Sequence, residues 1–445
     1  MISALAPVSR SIHNNHQMRR FFLIIIAGLL FFLTWQMGVQ IGLVLAVFLN
    51  ALVMLHLELA TLRRFTFTLA ALAAKKPSLP PLPDPPPFLL ALVPCRNEAS
   101  TLAATLEAWD AVEYPHDGLR LVFIDDASTD RTAELLKAYA VGRPWVEVVS
   151  KPGPSTGKGA ALSAGLAAAP EAEAVVVFDA DARPAPDCLQ LLAAHLSNPA
   201  VAAVAGRMLP DYHPSTPAAY SRLEAAVHQR ITVTGAAWLG FTVPLLGSAY
   251  LVRYSALKAI GFDPTHRLED IDLTMRLLTN NFNIAFEPRA RCAHRPPASL
   301  HALAVQRAAW SRGFHRIATA YLWTAIVQAG SLVLALDRFL FATGYLDRIT
   351  FSLAIVLAVL DATVLQILWM PWWFPVLVAA VPALQCVLAM LLDGWKIGQV
   401  ARIIPASILA FLDLATEWSA MIADLLHLPR QWRRTLRAGE EPKHG

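Results

Sequence analysis

Three groups of acids stand out in a chain whose charged residues make up only 16% of its 445 positions. Asp125 and Asp126 close the apolar run Leu119 to Ile124, Asp179 and Asp181 close the run Ala174 to Phe178, and Glu269, Asp270 and Asp272 crowd into four positions. Residues two apart in an extended segment point to the same side, so Asp179 and Asp181 face one site. Hard oxygen donors on so short a reach suit Mg2+ or Mn2+, which shares its shell with substrate phosphate oxygens. Asp pairs also open turns, so the spacing alone is a weak signal; its place at the end of a buried-type strand strengthens it. Asp125 and Asp126 lie where a carboxylate accepts from a base N–H or a ribose hydroxyl. The adjoining Ser128 to Asp130 reads equally well as a helix cap. Acids are favoured in a helix's first turn, but Glu269, Asp270 and Asp272 exceed what capping needs. One of them is a candidate general base for an attacking hydroxyl.

Two further segments bear on a site. Gly153 to Gly159 is one residue short of the GxxxxGK spacing and has Gly159 after Lys158, which excludes an ATPase loop. Lys158 reads either as a surface-loop residue or as a cation at a helix start that meets a nucleotide. In Gln306 to Gly313, Gln306 and Trp310 are four apart and share a helix face, where Trp310 offers an aromatic surface to a sugar ring. Arg307, Arg312, His315 and Arg316 also read as anchors at a membrane boundary.

The elements that must position these residues alternate in type. Phe88–Val93, Leu119–Ile124, Val146–Val149, Ala174–Phe178 and Val201–Ala205 read as strands. Ala99–Asp110, Asp130–Val141, Gly159–Ala169 and Pro186–Ser197 read as helices between them. Such alternation predicts an α/β fold with a doubly wound, mostly parallel sheet, whose ligands sit at the carboxyl ends of the strands.

The chain is 56% hydrophobic with a mean hydropathy of +0.47, which points to a membrane protein. A net charge of +4 without a long basic run gives no case for nucleic acid. Cys95, Cys188, Cys292 and Cys386 are too scattered for a zinc site or a disulfide framework and suit a reducing cytosol. Phe21 to Leu62 is almost uncharged, long enough for two crossings with a turn at Gln36 to Gly42, and flanked by Arg19, Arg20, Arg63 and Arg64. Positive charge on both outer flanks predicts cytosolic ends. The expected organisation is a cytosolic N-terminus (1–20), a transmembrane hairpin (21–64), a Pro-rich linker (65–87), a cytosolic domain (88–313), membrane or interface helices (314–428) and a basic cytosolic tail (429–445). The apolar stretches Ile317–Leu336, Phe351–Trp369, Trp372–Leu392 and Ile403–Leu426 allow four crossings, or fewer if the first and last lie along the interface. The tail arginines Arg430, Arg433, Arg434 and Arg437 require an even number.

Taken in order, the motifs resemble the family 2 inverting glycosyltransferases, especially the membrane group of cellulose, chitin and hyaluronan synthases and ceramide glucosyltransferases. The resemblance covers roughly Pro94 to Gly313. It implies a GT-A type, Rossmann-like fold flanked by transmembrane helices in the inner or plasma membrane, with a nucleotide-sugar donor, most simply a UDP-sugar. It further implies that Pro94, Asp125, Asp126 and Lys158 line the nucleotide pocket and that Asp179 and Asp181 hold Mg2+ or Mn2+ against the diphosphate. Glu269 and Asp270 match the catalytic acidic pair, with Asp270 as base; Gly247, Ser248, Gln306 and Trp310 match the acceptor side. Two positions depart from the pattern: Leu268 stands where Thr is usual, and Ala309 stands where QxxRW carries Arg. The Ala309 departure bears on diphosphate binding and on processivity, with Arg307 or Arg312 as substitutes. Lipid and polysaccharide acceptors compete, the lipid being slightly favoured. A different class, a non-catalytic nucleotide-sugar-binding module, is disfavoured by the intact acids.

Overall fold

The computed structural model describes residues 39–428, apart from 76–78, 152, 156, 267, 298, 362, 364–372, 396 and 402–407. The first expected crossing, the N-terminal arginines and the basic tail lie outside the described residues. Residues up to Leu57 with Thr350–Phe374 form one compact unit, and Glu58–Ile349 with the residues from Pro375 onward form the other.

The second unit holds an eight-stranded sheet in the order β3-β2-β1-β4-β7-β6-β8-β5. The strands are β1 (Leu89–Cys95), β2 (Leu119–Asp125), β3 (Val146–Ser150), β4 (Ala174–Val177), β5 (Arg183–Pro184), β6 (Val201–Pro210), β7 (Tyr250–Arg253) and β8 (Asn283–His294). β3, β2, β1 and β4 are mutually parallel, as expected from short apolar-rich strands that alternate with helices. β7 runs antiparallel to both β4 and β6, so the sheet is mixed rather than doubly wound throughout. Its four residues fall between two helices, and β8 mixes charge with apolar residues, so neither carries a periodic signal.

Side chains of β1, β2 and β4 are buried on both faces. Trp109, Leu136, Leu189 and Leu192 cover one face, and Leu162, Leu245, Leu273 and Leu277 the other. The Trp109 and Phe178 rings meet edge to face at 5.2 Å, just before the Asp179 turn.

Helix α1 (Val39–Ala73) passes the expected hairpin end at Leu62 and takes up the first part of the predicted linker. Among the described residues it contains the one helix, Val44–Ala73, long and apolar enough to cross a membrane. The stretch Ile317–Leu336 is not one span. Ile317–Val327 ends the 28-residue helix Leu300–Val327, Gly330 takes a φ of +72°, and Ser331 caps a new helix, Leu332–Ala342. That helix and Leu346–Leu360 are bent by 81° and reach spanning length and hydropathy only as a pair. Trp373–Leu392 carries Pro382 inside it, and Leu409–Leu425 buries Asp413 and Glu417.

α1 crosses the helix Thr234–Leu239 at a backbone-to-backbone contact: a Cβ on Gly235 would lie 2.1 Å from the Phe67 carbonyl oxygen. Gly235→Ala is therefore expected to cost about 1–3 kcal/mol by overpacking, read as a lower thermal midpoint of the purified protein. An unchanged midpoint would show that the helices slide apart freely.

Candidate active site

The carboxyl ends of β1 and β2 meet at the first acidic pair. Pro94 lies in β1 opposite Ile124, and the Asp126 amide donates to the Cys95 carbonyl at 2.9 Å. Asp125 accepts from the Ser128 amide, folding the loop back, and Ala127 takes a φ of +57°. Asp126 receives Lys151 Nζ at 3.1 Å and the Ser155 hydroxyl at 2.5 Å. Sequence reasoning missed both partners, although Lys151 directly follows β3. Ser128 and Asp130 do serve a local role: Ser128 Oγ accepts from the Asn97 amide, and Asp130 accepts from the Ala99 and Thr132 amides. They tie the β1 loop to the helix Thr132–Ala140.

The centre of the site is the Lys158 ammonium. Its Nζ lies 2.7 Å from Asp179 Oδ1, 2.5 Å from Glu269 Oε1, and donates to the Gly247 carbonyl at 2.5 Å. Helix Lys158–Gly165 begins at this residue, behind Gly157 with a φ of +108°. A Cβ on Gly159 would come within 2.5 Å of the Asp263 carbonyl oxygen, so the glycine brings the lysine-bearing helix against the segment leading to Glu269. Burial works against the charged ammonium, yet Asp179 and Glu269 more than offset it and hold Lys158 well above its ordinary value.

Helix Glu269–Thr279 opens with three acids, each with its own distant partner rather than a helix-end amide in common. Glu269 faces Lys158, Asp270 Oδ2 accepts from the Gly247 amide at 2.6 Å, and Asp272 accepts from the Tyr321 hydroxyl at 2.9 Å. Burial pushes the Glu269 carboxyl up to about 7 against the pull of Lys158, and Asp270 adds to the rise. Burial also raises Asp270, against Lys158 and the Ile271 and Gly247 amides. A raised carboxyl suits a proton acceptor working near neutral pH. Gly247, at φ +62°, turns its amide to Asp270 and its carbonyl to Lys158, while Ser248 Oγ accepts from the Asp179 amide at 3.0 Å.

Asp179 is half-buried, and Asp181, buried, accepts from the Arg295 amide at 3.3 Å. Two carboxylates of hard oxygen, one of them open to solvent, fit Mg2+ or Mn2+, which needs few protein ligands when phosphate oxygens complete its shell. A separate set, Asp263, His266 and Asp272, brings its ligand atoms within 4.8 Å of one another. There the Asp272 carboxylate already accepts from Tyr321 and lies 3.6 Å from Arg276, just as Asp179 lies 2.7 Å from Lys158, so in neither set does the nearby cation decide whether a metal binds.

The helix Leu300–Val327 packs on the helix Glu269–Thr279 through Ile271, Met275, Phe314 and Ile317. A Cβ on Gly313 would lie 2.6 Å from Leu268, so the residue in the usual Thr position is a packing contact. Gln306 is half-buried and Trp310 is 37% exposed. Ala309 is exposed, and neither nearby arginine replaces the missing guanidinium. Arg307 is buried against Glu224, lies 3.6 Å from Asp413 and covers the Trp310 ring at 4.7 Å. Arg312 pairs with Asp424 at 3.0 Å and donates to the Leu428 carbonyl.

Residues 85–313, just over half the chain, match the family described as Glycosyltransferase like family 2. The chain is 29% identical over 241 residues to a poly-beta-1,6-N-acetyl-D-glucosamine synthase of Staphylococcus epidermidis, covering 54% of this chain and 57% of that one. It is 28% identical over 254 residues to a beta-monoglucosyldiacylglycerol synthase of Synechocystis, covering 55% and 52%. The match thus spans little more than half the length of these relatives. Among solved structures, a mannosyltransferase of Pyrobaculum calidifontis in complex with GDP-Man and Mn2+ superposes with a TM-score of 0.59 at 19% identity. The superposition covers 86% of this chain and all of that one, and shows a shared fold.

Proposed function

The chain belongs to the family 2-like glycosyltransferases, and from that premise we propose that it transfers one sugar from a nucleotide-sugar donor to a membrane-associated lipid, with inversion at the anomeric carbon. The observation that carries this reading is the convergence of Asp179, Lys158, Glu269 and Asp270 on Gly247, beside the Asp126 pocket. Asp126, with Lys151 and Ser155 holding its carboxylate, takes the base or ribose; a UDP-sugar is the simplest donor. Asp179 and Asp181 would hold Mg2+ or Mn2+, which supplies positive charge to the departing diphosphate. Asp270 accepts the proton of the acceptor hydroxyl as its oxygen attacks the anomeric carbon. The Gly247 amide fixes the carboxylate's aim, and Lys158 holds Glu269 in place. The same reading puts Gly247, Ser248, Gln306 and Trp310 on the acceptor side and the domain 88–313 at a membrane's cytosolic face.

A polysaccharide product is the second reading. Ala309, with Arg307 and Arg312 both committed elsewhere, removes the arginine associated with processive synthesis and favours the lipid. Purified full-length protein, given a panel of UDP- and GDP-sugars with Mn2+ and a membrane lipid extract, is expected to release nucleoside diphosphate and to stop on EDTA addition. Mass spectrometry should find a lipid heavier by one sugar. No release with any donor sinks the proposal, and a polymeric product decides for the second reading.

A further inference from the structure

Away from the acids, a cavity of about 110 Å³ lies between β6, the helix Thr216–Ala226 and the residue that follows the apolar helix Trp373–Leu392. Arg207, Met208, Pro210, Arg222, Ala226 and Asp393 line it. Its charge is unbalanced. Arg207 and Arg230 share the single carboxylate of Asp393, at 2.8 Å and 2.6 Å. Arg222 stacks over Trp395 at 5.2 Å, and among the described residues no carboxylate pairs with it. Nearby Asp211 is committed to Arg183. The Arg207 side chain is 7% exposed, and its Nε is buried without a partner. Burial holds the Arg207 guanidinium below its ordinary value despite Asp393, and the charges of Arg230 and Arg291 push the same way. A buried cavity with surplus guanidinium and an orphaned donor calls for an anion. Ala226, Ile231 and Ala389 pack in one cluster beside it, which joins the cavity wall to the end of an apolar helix whose Leu391 is 70% exposed.

We propose that this cavity binds the phosphate group of an anionic phospholipid, a site distinct from the donor and acceptor sites and independent of catalysis. Arg222 and the Arg207 Nε donate to the phosphate while the acyl chains follow the apolar helix.

Native mass spectrometry of the full chain from micelles containing phosphatidylglycerol or phosphatidylcholine tests it. The wild type should retain phosphatidylglycerol selectively, and Arg222→Gln should lower retention by roughly tenfold, as loss of a charged hydrogen bond implies. Ala225→Leu, which fills the cavity without removing charge, should lower it likewise. Arg143→Gln, an equal charge change on a remote surface, should not. Equal retention of the two lipids, or equal loss in the Arg143 variant, overturns the proposal. Displacement of the lipid by millimolar inorganic phosphate overturns the lipid assignment in favour of a free-phosphate site.

Discussion

Asp270→Asn is expected to lower kcat by about 10²–10⁴-fold while leaving donor affinity near that of the wild type. The substitution keeps the shape of the side chain and an oxygen that can accept from the Gly247 amide, which donates to Asp270 at 2.6 Å. What it removes is the negative charge and the basicity that burial raises. The donor's base, ribose and diphosphate are assigned to other residues, so binding and chemistry separate cleanly. The measurement is nucleoside diphosphate release under saturating donor, paired with calorimetric titration of donor and Mn2+. An unchanged kcat would remove Asp270 from the role of base, and a weakened donor affinity with intact kcat would reassign it to binding.

Lys158→Met should act on stability and activity together. It deletes the cation that contacts Asp179 and Glu269, and Glu269 is 4% exposed. Removing one partner of a buried pair costs about 3–5 kcal/mol, with the lysine's partial exposure setting the value at the low end. The loss depends on pH with a definite sign. The Glu269 carboxyl already stands at about 7 with the lysine present, above the unfolded value of about 4.3, and goes higher without it. A carboxyl raised on folding contributes stability at low pH, and that contribution is lost as pH rises through its folded value. The variant's deficit in thermal midpoint is therefore expected to be small near pH 5 and large near pH 8, with transfer activity lost at both. Lys158→Arg should recover part of the stability. A deficit that does not vary with pH would show that Lys158 and Glu269 are not coupled.

The parallel half of the sheet was legible because β1 and β4 are apolar throughout and β2 is broken only by Arg120 before its terminal Asp125, the pattern of strands covered on both faces. β7 was not legible, since four residues between helices carry no period and its pairing with β4 is set by tertiary contact. Of the site, the acids showed themselves by their place after strands. Their partners did not: Lys158 to Glu269, and Tyr321 to Asp272, are long-range contacts to which local sequence holds no clue. Ala309 was visible as a gap in a motif, but the sequence did not show that Arg307 turns away to Glu224 and Asp413. The apolar stretch from Ile317 looked continuous by composition alone; one glycine at φ +72° and one serine cap divide it.

The helix Leu300–Val327 is unbroken for 28 residues and touches the start of the helix Glu269–Thr279 through Gly313 against Leu268 and through Tyr321 against Asp272. A rigid rod held at two points to its neighbour transmits tilt as well as translation. Those two contacts fix the tilt as well as the position of the segment carrying Glu269 and Asp270. A change at either contact is therefore felt at both acids together, so the geometry of the site depends on a helix that carries none of its acids.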